Sequence, residues 1–124
     1  MAYAQAAGKR FESLLTSHMR DLGWDVERLR LTGVEDEGDV LLRAPSGRTV
    51  IEAKREKGFK LAGWVKEAQV ERDNYANHRS LDPTGVGFVV VHYARGKNIS
   101  QSYVTTTLEQ WLSTIDNNGD DRHT

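Results

Sequence analysis

The span from Asp39 to Arg55 restricts the fold of this chain more than any other part of it. Two strand-like stretches, Asp39–Ala44 with Val40, Leu41 and Leu42 at its centre and Arg48–Arg55, flank Pro45-Ser46-Gly47. Proline presets one turn dihedral and glycine supplies backbone conformations that side chains disfavour, so the span reads as strand, turn and returning strand. Upstream, Trp24–Leu31 alternates, with Val26, Arg28 and Arg30 on one face and Leu29 and Leu31 on the other. Together these pieces predict a three-stranded antiparallel meander.

Helical periodicity brackets the meander. Phe11, Leu14, Leu15, Met19 and Leu22 recur at spacings of three and four, which predicts a helix over residues 4–22 with Gly23 as its stop. Gly58 breaks the strand pattern, and a second helix is expected from Ala62 to Asn77, turning Trp64, Val65, Ala68, Tyr75 and Ala76 inward. Val86–Tyr93 is the most apolar stretch and reads as a central strand buried on both faces. A short strand over Ser102–Thr106 and a last helix over Leu108–Ile115, with Leu108, Trp111, Leu112 and Ile115 inward, complete the order αβββαββα. The expected class is α/β, a mixed sheet between helices, in one domain over residues 1–116 with a polar tail at 117–124.

Composition narrows the function. The 124 residues suffice for one core, and the absence of cysteine excludes disulfides and Cys-type zinc sites. No run approaches membrane-spanning length and no signal core precedes Gly8, so a soluble, cytoplasmic chain is expected. A net charge of −1 argues against a general nucleic-acid glue. The charge is uneven, however: residues 43–60 carry six bases (Arg43, Arg48, Lys54, Arg55, Lys57, Lys60) against Glu52 and Glu56. On charge alone that strip reads equally as a solvated hairpin and as a phosphate-binding surface.

The hairpin also carries chemistry. Residues two apart on a strand share a face, so Glu52 and Lys54 project together. If the turn closes with Ala44 opposite Thr49, Asp39 falls opposite Lys54 and faces the same side as Glu52. A slip of one residue would turn it away. Paired carboxylates repel unless a proton or a cation intervenes, and Mg²⁺ takes one or two carboxylates while keeping waters and phosphate oxygens. The Ala53 carbonyl offers another oxygen, and Lys54 suits orienting or deprotonating a water, or stabilising charge on a phosphate. Glu12, at the border of the first helix's apolar stripe, can complete the shell; taken alone it reads as a surface glutamate. His18, His78, His92 and His123 share no ligand spacing, and neither a Gly-rich phosphate loop nor a Ser/His/Asp arrangement is present.

This combination resembles the PD-(D/E)XK nuclease superfamily, whose fold is that of many restriction enzymes, and within it the small archaeal-type Holliday-junction-resolving nucleases. Gly8-Lys9-Arg10-Phe11-Glu12, Arg28 with Thr32-Gly33, Gly38-Asp39-Val40 and Ile51-Glu52-Ala53-Lys54 are similar to the family's successive motifs. Glycine stands for the family's proline at 38, threonine for serine at 32, and Ser13 where arginine is frequent. The resemblance implies a restriction-endonuclease-like fold with Glu12, Asp39, Glu52, Lys54 and Thr32 in the active site. Mg²⁺, with Mn²⁺ as a substitute, would sit on Glu12, Asp39, Glu52 and Ala53, and no organic cofactor is implied. Arg10, Arg28, Arg30, Arg55, Lys57 and Lys60 are expected on the DNA backbone. The implied activity is paired cutting of a four-way junction by a homodimer, whose two-fold symmetry suits branched DNA. The last strand and the Trp111 helix are candidate dimer surface. The alternatives are a nuclease of the same superfamily on flaps, single strands or duplex sites, and a non-catalytic DNA- or protein-binding module.

Overall fold

The computed structural model describes residues 2–29 and 35–115, with side chains from residue 7 onward. Arg30, Thr32 and the tail at 117–124 lie outside the described residues. Helix α1 (Ala2–Asp21) is followed by strands β1 (Asp25–Arg28), β2 (Val40–Ala44) and β3 (Gly47–Lys54), helix α2 (Leu61–His78), strands β4 (Val86–His92) and β5 (Tyr103–Thr105), and helix α3 (Leu108–Ser113). Short 3-10 turns at Pro83–Gly85 and Ile99–Gln101 precede β4 and β5.

The five strands form one mixed sheet in the order β1-β2-β3-β4-β5. The first three make the expected antiparallel meander, β3 and β4 run parallel across the α2 connection, and β5 returns antiparallel. The most apolar strand, β4, is interior and buried almost throughout, while the middle place of the five belongs to β3.

Alternation along the strands gives each face its own core. Val26, Val40, Ile51 and Val91 pack with Phe11 and Leu15 of α1. Leu41, Val50 and Val86 pack with Tyr75 and Ala76 of α2, and Phe88 and Val90 with its Trp64 and Ala68. The two long helices therefore cover opposite faces. Helix α1 ends in a Schellman arrangement: the Gly23 amide donates to the Arg20 carbonyl (2.9 Å) and the Trp24 amide to that of Met19 (3.0 Å), with Gly23 at φ +96°.

Three sequence expectations change. The hairpin closes with Ala44 opposite Gly47 and Leu42 opposite Thr49, two residues away from the expected pairing. Leu14 and Leu22 are exposed, so the α1 stripe is narrower than its spacing suggests. Leu108, Trp111, Leu112 and Ile115 face outward and not inward. Helix α3 is too short to span the sheet, and it meets the layer mainly through Gln110, whose side chain lies over Gly87. Among the described residues, no helix is long and apolar enough to cross a membrane.

Candidate metal centre

The two-residue change in register is even, so it leaves every side chain on its expected face. The β2–β3 ladder ends with Val40 opposite Ile51, so Asp39 lies just beyond it, next to Glu52 instead of Lys54. The Asp39 amide donates to the Ile51 carbonyl at 3.1 Å, and its Oδ2 accepts the Ala53 amide at 2.8 Å. Asp39 and Glu52 thus meet at one end of the sheet, on the face that α2 covers.

Gly38 makes that approach possible. Its φ is +101°, and a Cβ there would lie 2.6 Å from Val50 Cγ1 and 3.6 Å from Glu71 Oε1. No L-residue fits comfortably, and proline, locked near φ −65°, cannot adopt the conformation at all. The chain therefore enters Asp39 by a path closed to the proline of the resembled motif.

Glu71 and Glu67 are the residues that sequence reasoning missed. They lie one helical turn apart on α2, and a carboxylate oxygen from each falls within 4.8 Å of the other and of one from Glu52. Glu71 is 3% exposed and continues the buried row Trp64, Ala68, Tyr75. An acid in a helical core stripe was the available signal; a search for apolar residues at that spacing passes over it. Oε1 of Glu52 and Oε1 of Glu71 are both buried without a hydrogen-bonding partner.

Lys54 balances part of this charge. Its Nζ lies 2.8 Å from Glu67 Oε1, 3.2 Å from Glu52 Oε2 and 3.6 Å from Glu56 Oε2. Burial works against its charge, but the bonds and fields of Glu67 and Glu52 outweigh that and raise its pKa. The ammonium is thus held charged, which fits charge stabilisation.

The acids' pKa values rise as well, and for an acid a rise favours the uncharged form. Burial, then the charges of Glu52 and Glu12, push Asp39 up to about 8 against the pull of the Ala53 amide. Burial, then the neighbouring Glu71 carboxyl and the charge of Glu67, push Glu52 to about 10. Glu71 rises to about 8, chiefly through burial and the charges of Asp36, Glu67 and Asp39, although the adjoining Glu52 carboxyl pulls it down. Such a cluster holds protons, or exchanges them for a cation.

The donor set fits a hard divalent cation. It is all oxygen, and it includes two orphaned buried carboxylate atoms. The carboxylates whose oxygens converge are Glu52, Glu67 and Glu71, while the expected ligand Asp39 stands beside Glu52 but outside that group. Ala53 serves through its amide. Glu12 lies close enough for its charge to act on Asp39, but its Oε1 accepts from Arg28 Nη2 at 3.1 Å. Arg28 also donates to Ser13 Oγ at 2.9 Å, which occupies it between two α1 side chains.

The remaining basic candidates divide. Arg10 is exposed on α1. Arg55 leans over the Tyr93 ring, 4.1 Å from its centre, on the α1 face. Lys57 and Lys60 are exposed in the connection from β3 to α2. Compared with known proteins, the chain matches no family model, no curated protein and no solved structure.

Proposed function

We propose that this chain is a Mg²⁺-dependent DNA endonuclease with a restriction-endonuclease-like fold, in which Asp39, Glu52 and Lys54 carry the site and Glu71 and Glu67 extend it. One observation carries the reading: Asp39 and Glu52 share one face, Oε1 of Glu52 and Oε1 of Glu71 are buried with no donor to satisfy them, and a charged lysine stands beside Glu52. Metal-assisted hydrolysis of a phosphodiester uses such parts. A bound divalent cation supplies neutralisation of the acids, a ligating water of lowered pKa and a contact for phosphate oxygen. Asp39 is oriented for this by the Ala53 amide. Lys54 holds a fixed positive charge where negative charge grows on the phosphate, and its three carboxylate partners keep it from wandering.

The substrate side of the reading is branched DNA cut by a homodimer. The uneven charge supports DNA, since Lys57, Lys60 and Arg10 are exposed at or near the hairpin and the first helix. The exposed Val104, Leu108, Trp111 and Leu112 supply apolar surface for a second copy on the α1 face, away from the acids.

Labelled four-way junctions, flaps and linear duplex, incubated with Mg²⁺ or with chelator at one salt concentration, test the proposal. Paired nicks on the junction in Mg²⁺ alone, lost in Asp39→Ala and Glu52→Ala, are expected. Cutting that survives either substitution refutes the roles given to these residues.

A further inference from the structure

Beside Lys54 the same sheet face changes from acids to aromatic rings. Lys54 pairs with His92 across β3 and β4, and His92 pairs with Tyr103 across β4 and β5. These three side chains therefore form one row on the α2 face. Phe59 and Trp64 close on it, with ring centres 5.9 and 5.6 Å from His92, 5.4 Å from each other, and Tyr103 5.6 Å from His92 on the next strand. Trp64 and His92 are buried and fix the floor, and His92 Nε2 is tied to Thr105 Oγ1 at 2.8 Å. Phe59 and Tyr103 are different: they are 70% and 56% exposed, although packing holds one side of each ring.

Such rings, held in place yet open to water, have no structural use for their free faces. Their setting is basic. Lys57 and Lys60 flank Phe59, and Arg95 and Lys97 occupy the loop after β4 at the same end of the sheet; all four are exposed and have no carboxylate partner among the described residues. The one acid in these two connections, Glu56, is drawn to Lys54. Positive charge around exposed aromatic faces matches a polyanion that also offers flat apolar rings. A folded protein partner would require no such charge, and a continuous duplex keeps its base faces stacked inside.

We infer that Phe59 and Tyr103 stack unpaired nucleobases next to the scissile phosphate, so that the substrate is DNA with unstacked nucleotides at the cut, as a single strand, a flap or an open branch point presents. The inference rests on the reading of the acidic cluster as a phosphodiesterase site, because Lys54 belongs to both the cluster and the aromatic row. Bases would lie on Phe59 and Tyr103 while Lys57 and Lys60 follow the backbone, a division of labour that tolerates any base sequence.

Binding measured in chelator separates the two readings, since no cutting is needed. Fluorescence anisotropy of a labelled oligothymidine and of a blunt duplex of equal length is followed with the full chain and with Phe59→Ala, Tyr103→Ala and Phe59→Trp. Both rings are exposed, and an unchanged melting temperature confirms each variant's fold. Each alanine change is expected to weaken oligothymidine binding about ten-fold, as the loss of one stacked base does, while duplex binding stays within about two-fold and Phe59→Trp restores affinity. Oligothymidine affinity unchanged in both alanine variants, equal losses on the two ligands, or no binding by the wild-type chain at low salt would each overturn the inference. Failure of Mg²⁺-dependent cutting with this pattern intact would instead count against the phosphodiesterase reading alone.

Discussion

Glu71→Gln separates a built cation site from an ordinary acidic patch. The native carboxyl is pushed from 4.5 to about 8. An acid whose folded-state pKa is raised keeps its proton in the native state where the unfolded chain has lost it. Stability therefore falls as pH rises from about 4.5 toward about 8. Taken in isolation, a shift of that size corresponds to nearly 5 kcal/mol at about 1.4 kcal/mol per unit. Glu71 titrates together with Glu52 and Asp39, however, and Glu67 leaves the cluster open to water on one side, which reduces the realised cost to about 1–2 kcal/mol. Glutamine keeps the shape, carries no charge, and its amide can donate to the orphaned oxygen of Glu52. In chelator near pH 8, Glu71→Gln should raise the melting temperature by about 4–8 °C, and the gain should vanish near pH 4. Mg²⁺ should stabilise the wild type near pH 8 and the variant less. Scanning calorimetry across pH with and without the ion checks all three. A variant that melts below the wild type in chelator near pH 8 would show that the acids repel too little to need a cation.

Three other outcomes follow from the geometry. Gly38→Ala forces an unfavourable φ and places a methyl group 2.6 Å from Val50 Cγ1, so it should cost about 2–4 kcal/mol in urea unfolding and reduce cutting further by displacing Asp39. His78 meets Glu37 through Nδ1 and Glu35 through Nε2 at 2.9 Å, and only the protonated ring donates through both nitrogens. These two bonds, and the charges behind them, raise its pKa against the pull of desolvation. Its contribution is thus complete below the ordinary pKa of 6.5 and disappears as pH rises through the higher folded value. His78→Gln should lower the melting temperature near pH 6 and scarcely change it near pH 9, where Arg79 and Asn74 still hold the 35–37 segment. A constant loss at both pH values would rule out the charged clasp. Phe11→Ala, which empties the α1 core at a residue 1% exposed, should cost about 3–5 kcal/mol by the same unfolding measurement, and a loss under about 1 kcal/mol would contradict the packing described.

Much of this architecture was legible because period and punctuation agreed. Period-two alternation either side of Pro45-Ser46-Gly47 placed the meander, and the stripe from Trp64 to Ala76 placed α2. The shared face of Asp39 and Glu52 was legible even though their register was not. The Pro45-Ser46 turn is tighter than the one assumed, and Gly47 at φ +132° admits it, but an even slip preserves faces. Glu71 was hidden because buried positions are sought among apolar residues, whereas here an acid stands among them. The exposure of Leu108, Trp111 and Leu112 was illegible for the opposite reason. Spacing shows that a helix has an apolar side, but not whether the fold brings anything to cover it.

The proposed cation would sit among Glu52, Glu67 and Glu71, beside Asp39. A crystal soaked in Mn²⁺ and measured near the manganese absorption edge tests it directly. An anomalous peak is expected within ligand distance, about 2.2 Å, of Glu52 Oε1 and of an oxygen from Asp39, Glu67 or Glu71. A map empty there at saturating Mn²⁺, with the carboxyls still crowded together, would contradict it.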